Sequence, residues 1–349
     1  MTNADGGATA DAGDRSPTVR VLSCGGTIAS EPTDAGAEPA KSGDELVAAV
    51  PQLADHADVS AVEIASHPGF DMQFSAVAGV AEAIHEGVDA GVDGFVVTHG
   101  TDTLADTAYA LWLTLDPDRL GDRPVVVTGA QRRFDEPSSD APANLTTAVR
   151  AAAGEAVASG VYVAFDDDLH AARDAVKTHT NKLDTFQSPG KGPVASFTRA
   201  DARVHRRGSP PGADSSTRAG SLPVSALSAA PDTTVVVVHS GLGVGADGID
   251  RALAADVDGI VVAGTGLGNV TGALGDAIRE AVESVPVVVA SRCHAGPTEP
   301  VYGTPGGAVT LRAHGVHFAG DLSTAKARVK LQLALAAGVD EERLDSLFE

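Results

Sequence analysis

Short unbroken runs of valine and isoleucine recur along this chain, each closed by a polar or glycine-rich turn and followed by a helix-forming stretch. Val19-Arg20-Val21-Leu22 runs into Cys24-Gly25-Gly26-Thr27, and Phe95-Val96-Val97-Thr98 runs into His99-Gly100-Thr101-Asp102-Thr103. Val125-Val126-Val127-Thr128 is a third such run. Continuous rather than alternating apolar strands are buried on both faces, a property of parallel sheets covered by helices. The pattern predicts an α/β protein whose N-terminal domain is doubly wound around a mainly parallel sheet. Right-handed crossovers then collect the C-terminal ends of the strands along one edge, where ligands of open α/β sheets bind. The Gly/Thr/Asp clusters fall on that edge.

Helical stretches are expected at 44–50, stopped by Pro51, at 76–88, at 104–113 and at 144–153, with a further strand at 161–165. Thr103 and Asp106 have the spacing of a capping box for the third of these helices. At roughly 150 residues per domain, 349 residues allow two domains. The division expected is a disordered acidic segment 1–17, an N-terminal domain 18–205, a linker 206–232 containing Pro210, Pro211, Pro223 and Pro231, and a smaller C-terminal α/β domain 233–349. The smaller domain has strands at 235–238, 260–262 and 287–289 and ends on a long helix at 324–336. The two cysteines form no disulfide framework. No apolar run reaches the ~18 residues of a membrane span, and the polar N-terminus lacks the basic and apolar regions of a secretory signal. A cytoplasmic protein without membrane contact is expected.

Charge excludes another class. Forty-seven acidic residues face 25 basic ones, giving a formal net charge of −22, and only six of the basic residues are lysines. Such a surface repels phosphate, so nucleic acid is not expected as a partner. Small hydrated carboxylates in place of long lysine stems point to a protein adapted to a salt-rich cytoplasm.

Three constellations carry chemistry. Gly25-Gly26-Thr27 lets the backbone turn tightly at the end of a strand and projects a threonine, which becomes a nucleophile only beside a base. The same residues equally make a simple turn with a capping threonine. Thr98 to Thr103 ends a strand and opens a helix whose free N–H groups favour developing negative charge. Here Asp102 binds an ammonium or orients a base, unless Thr101 or Asp102 merely caps the helix. In Arg173-Asp174-Ala175-Val176-Lys177-Thr178, Lys177 is either half of a surface ion pair or, partly withdrawn from water, a base. Gly243-Val244-Gly245-Ala246-Asp247-Gly248 has the spacing of a pyrophosphate cradle but lies in the second domain. His314 and His317 lack an accompanying Glu or Cys, so no metal or other cofactor is expected. Cys24 reads as a small buried hydrophobe.

Gly25 to Ala29, His99 to Thr103, Arg173 to Thr178, and Lys326-Ala327-Arg328-Val329 with Leu331 occur in that order along nearly the whole chain. Together they resemble the bacterial-type L-asparaginase/glutaminase family. The resemblance implies hydrolysis of a small-molecule amide, L-asparagine, to L-aspartate and ammonia in a homodimer or homotetramer. It implies Thr27 as nucleophile and Thr101, Asp102 and Lys177 as a proton-relay and substrate-binding set. It also implies that Asn269 reaches the neighbouring subunit's site. Two features depart from the family. The tyrosine that normally follows the first threonine is missing, since none occurs between Thr27 and Tyr109, leaving only Lys41, Ser42 and acidic groups in that loop. The Ser-Gln pair that grips the substrate α-carboxylate is replaced by Gly69-Phe70, which can bind only through their backbone. Two further readings stay open: an asparaginase-like subunit of a glutamyl-tRNA amidotransferase, and a non-catalytic amino-acid-binding protein of the same fold.

Overall fold

The first valine run forms β1 (Thr18–Gly25), whose last five residues are all buried. The computed structural model describes residues 15–34, 36–157, 159–206 and 221–348. A hairpin of β2 (Ser30–Thr33) and β3 (Gly36–Pro39) follows, and β4 (Asp58–His67) returns parallel to β1. The strands β5 (Gly94–Thr98), β6 (Pro124–Thr128) and β7 (Gly160–Phe165) then add in parallel on the other side of β1. Their near-complete burial matches the unbroken apolar runs. β8 (Asp168–Ala171) turns back antiparallel on β7. A separate two-residue pair follows, β9 (Val176–Lys177) with β10 (Phe186–Gln187). β11 (Ala195–Phe197) and β12 (Ala202–Val204) extend the antiparallel end, giving the order β12-β11-β8-β7-β6-β5-β1-β4. The smaller domain is a four-stranded parallel sheet of β13 (Val235–His239), β14 (Gly259–Gly264), β15 (Val287–Ser291) and β16 (His317–Ser323), in that order.

Helices cover both faces. Phe74–Asp89 and Leu104–Thr114 pack on one face of the large sheet and Ala141–Ala152 on the other, where separate apolar clusters form. The long helix Thr324–Ala336 follows β16, and its Ala327 and Leu331 pack in the same apolar cluster as Leu111 and Val261. The two domains therefore share a core, and this helix joins them.

Three expectations are bounded or corrected by the structure. The acidic segment 1–17 lies outside the described residues as far as residue 14, and the linker 206–232 does so over 207–220. The remainder of that linker is not loose. It forms the helix Ser225–Ala229 and the 3₁₀ turn Ala230–Asp232, with Leu222, Leu227 and Ala230 buried. Pro223 and Pro231 mark the turns of a packed segment rather than a flexible one. The capping box is also absent: the Thr103 side chain makes no cap bond, and its hydroxyl donates instead to the Gly69 carbonyl at 2.6 Å.

Candidate active site

Three loops meet at the C-terminal edge of the large sheet, and glycine is what lets them meet. Gly26 (φ +80°) leaves β1, Gly69 follows β4, and Gly100 follows β5. A Cβ on Gly26 would lie 2.2 Å from the Gly100 nitrogen, and one on Gly69 would lie 2.7 Å from the Gly100 carbonyl carbon. Real Cβ atoms do not approach so closely, so the backbones touch only because no side chain intervenes. Gly69 is therefore required by its neighbours, and a serine there would collide with Gly100. Phe70 next to it is 77% exposed and lends only its backbone to the edge.

In this contact Gly26, which precedes Thr27, meets Gly100, which precedes Thr101. Thr27 opens a 3₁₀ turn, Thr27–Ala29, and is half-buried. Its hydroxyl makes no hydrogen bond among the described residues. Thr101 is buried, and its hydroxyl accepts from Lys177 Nζ at 2.8 Å. The same ammonium donates to Asp102 Oδ1, also at 2.8 Å. Lys177 keeps 17% of its side chain in solvent and Asp102 keeps 54%. Both readings of Lys177 thus coexist: it makes the ion pair and it touches the threonine.

His99 holds the loop from below, a role that sequence reasoning misses. It is fully buried, its Nδ1 lies 2.7 Å from the Gly100 carbonyl, and its Nε2 lies 2.9 Å from Thr107 Oγ1. Burial pushes its pKa down to about 4, against the smaller upward pull of the Gly100 bond. The ring is neutral, with Nδ1 donating to the carbonyl and Nε2 accepting from Thr107. A polar residue closing an apolar strand is the available signal. Gln131 is a second omission. The loop carrying it packs Gly129 on His99 and Ala130 on Ile28 and Ala29, and its buried Nε2 has no partner among the described residues.

Other candidates are committed elsewhere. Lys41 pairs with Glu31 at 2.7 Å, and Ser42 forms a capping box with Glu45, so neither stands in for the missing tyrosine. Asn269 lies in the small domain, where its Oδ1 accepts from the Ala308 N–H at 3.1 Å; among the described residues no hydrogen bond joins it to Thr101. The glycines at 243 and 245 face open space, and the helix Asp247–Ala254 carries Asp247 and Asp250 in its first turn. That negative charge opposes a phosphate at the helix start. Cys24 is buried, which pushes its thiol up to about 12 and removes it as a nucleophile. His317 pairs with Asp345 at 2.9 Å, and among the described residues no group of three or more His, Cys, Asp or Glu side chains is arranged to hold a metal ion. No helix among them is long and apolar enough to cross a membrane.

Comparison with known proteins covers the same two units. The family described as "Asparaginase, N-terminal" matches residues 18–209, and "Glutaminase/Asparaginase C-terminal domain" matches residues 234–348. The chain is 35% identical over 346 residues to L-asparaginase 2 of Escherichia coli, covering 95% of this chain and 92% of that protein. It is 34% identical over 354 residues to a glutamyl-tRNA(Gln) amidotransferase subunit of Halobacterium salinarum, covering 96% of this chain and 79% of that one. The crystal structure of a probable cytoplasmic L-asparaginase from Campylobacter jejuni superposes with a TM-score of 0.82 at 32% identity, covering 95% of this chain and 99% of the other.

Proposed function

The chain belongs to the asparaginase family and is an amidohydrolase, and from that premise we propose that it hydrolyses L-asparagine to L-aspartate and ammonia with Thr27 as the nucleophile. The observation that carries this reading is the single ammonium of Lys177 within 2.8 Å of both Thr101 Oγ1 and Asp102 Oδ1, while Gly26, the residue before Thr27, packs on Gly100, the residue before Thr101.

The chemistry follows from those contacts. Thr27 Oγ attacks the side-chain carboxamide carbon, and its proton leaves to a base. Lys177, once neutral, takes a proton through the Thr101 hydroxyl that bridges it to the substrate. Returned to the amide nitrogen, a proton lets ammonia depart and leaves an ester on Thr27. Water, deprotonated by the same relay, cleaves the ester to the carboxylate. Free N–H groups at the start of the helix Leu104–Thr114 and in the glycine loops face the developing oxyanion. Asp102, half exposed, pairs with the substrate's α-ammonium as well as with Lys177. With no hydroxyl at Gly69 or amide at Phe70, the α-carboxylate is left to backbone N–H groups and to Gln131, whose buried amide nitrogen is an unused donor. Asn269 completes the site from a second subunit, so the active unit is at least a dimer. Two free thiols, one buried and one exposed, fit a reducing cytoplasm.

One assay separates this from the amidotransferase reading, which the Halobacterium salinarum relative favours. Ammonia released from L-asparagine without tRNA or nucleotide is the expected result, falling roughly 10³-fold or more in Thr27→Ala. Release only with glutamine and a charged tRNA would assign the chain to the amidotransferase role instead. Light scattering at assay concentration should find no active monomer.

A further inference from the structure

Lys177 is poorly held by its own strand. β9 is two residues long and pairs only with β10, apart from the large sheet. A ladder that short has little stability of its own. Thr178, next along, donates its N–H to the Thr185 carbonyl at 2.8 Å, and on the other side the turn Ala172 to Ala175 sets where the ammonium stands. Three N–H groups of this turn are met within the large domain: Ala172 donates to the Val161 carbonyl on β7, and Asp174 and Ala175 both donate to the Ala171 carbonyl. Three of its four carbonyls are met by one group from the other domain. Lys326 Nζ donates to the Ala172 oxygen at 2.8 Å, the Arg173 oxygen at 2.8 Å and the Ala175 oxygen at 2.5 Å.

We infer that Lys326 is a positioning residue for amide hydrolysis: its ammonium, supplied by the small domain, clamps the turn from which Lys177 projects. The inference rests on the reading of Lys177 as the base. An ammonium has three donors, and here all three are spent on the one turn. The side chain is 2% exposed and lies 5.5 Å from the Tyr109 ring centroid. Burial drives its pKa down to about 7, with Asp106 and Asp174 pulling it back. A helix needing only core packing at this place would be served by an apolar side chain, since burying an ammonium costs stability unless its partners are fixed. A second grip comes from the same domain. Asp321 on β16 accepts from Arg173 at 2.6 Å and from Lys191 at 2.7 Å, and Lys191 also reaches Asp174 at 2.8 Å. The turn is thus pinned to the small domain at two points, one central and one peripheral.

The test compares Lys326→Met, Asp321→Asn and Lys177→Met in the full-length protein. Turnover and KM for L-asparagine are read together with hydrogen exchange of the peptide spanning 172–178. For Lys326→Met, turnover should fall by about 10- to 100-fold, the scale of an ångström of misplacement, while KM stays within about threefold. Exchange over 172–178 should quicken, with β5 and β6 unaltered. Asp321→Asn, a half-exposed change that leaves the core intact, should quicken the same peptide and lower turnover by about two- to fivefold. A folded Lys326→Met that keeps full turnover while Lys177→Met loses it overturns the clamp and spares the base. Should Lys326→Met not fold, unchanged exchange and turnover in Asp321→Asn overturns it. Full turnover in Lys177→Met removes the base reading, and the inference with it.

Discussion

Two glycine-rich strand-to-helix turns, one after β1 and β5 and one after β13, are packed very differently. Both follow parallel valine strands and both open onto helices. In the large domain Gly26, Gly69 and Gly100 touch backbone to backbone, so three loops converge on Thr27, Thr101 and Asp102. In the small domain Gly243 and Gly245 face open space, and Leu242 between the strand and helix is fully exposed. Within that 243–248 motif only Gly248 is tight, 2.8 Å from the Val238 side chain, as helix–strand packing requires. A glycine spacing announces a turn in both cases. What distinguishes a site is whether the glycine is squeezed by another loop carrying a reactive group.

The contrast is broken or sharpened most strongly by one methyl group. Gly26→Ala forces a Cβ into the Gly100 backbone at a positive φ, and turnover should drop by about 10²-fold or more as the loops part. Gly245→Ala meets nothing within 4 Å and should leave turnover within about twofold. Equal effects at the two positions would erase the distinction between the edges.

Acid should also strike the large domain first. Burial holds His99 and His170 at about 4, well under the ordinary histidine value of 6.5. The unfolded chain binds these protons first, so stability is full above about pH 6.5 and declines as pH falls toward 4. Each histidine accounts for about 3 kcal/mol over that span. The carboxylate of Asp321 responds in the same direction but in a more acidic window. Burial raises it, but hydrogen bonds from Arg173 and Lys191 outweigh that and hold it at about 2, so its contribution persists to about pH 4 and is lost only below. Urea unfolding at pH 7 and pH 4.5 should differ by several kcal/mol, with the difference reduced in His170→Gln. Equal stability at the two pH values would contradict the neutral buried rings.

The smallest effect is global. With a net charge of −22, self-repulsion is screened over ~3 Å at 1 M salt but reaches ~30 Å at 0.01 M. Melting temperature should rise by several degrees between dilute buffer and molar KCl, and activity with it. A flat melting temperature would separate this acidic composition from salt adaptation.

The sequence is most legible where burial is two-sided. Valine runs mark β1, β5, β6, β13, β14 and β15, and the helix Thr324–Ala336 ends where its pattern ends. The antiparallel strands β8, β11 and β12, and the hairpins β2–β3 and β9–β10, are not legible because two to four residues carry no measurable period. Thr103 illustrates a second limit. Local spacing favours a capping box, but the Gly69 carbonyl, distant in sequence and adjacent in space, takes its hydroxyl. The departure at Gly69 likewise reads as a lost hydroxyl, whereas the fold shows a position with no room for one. Lys326 is visible as a motif residue, but no spacing relates it to the carbonyls of a turn in the other domain.

Turnover and melting temperature in Lys177→Met show whether the large-domain edge works through Lys177. The substitution keeps the stem and removes the amine that touches Thr101 and Asp102. Turnover should fall by roughly 10²- to 10⁴-fold, the usual worth of general acid–base catalysis, with oligomer and fold retained. Since Asp102 is half exposed, losing the ion pair should cost less than about 1 kcal/mol. A stable variant with near wild-type turnover would contradict the account and leave Lys177 as one partner of a surface salt bridge.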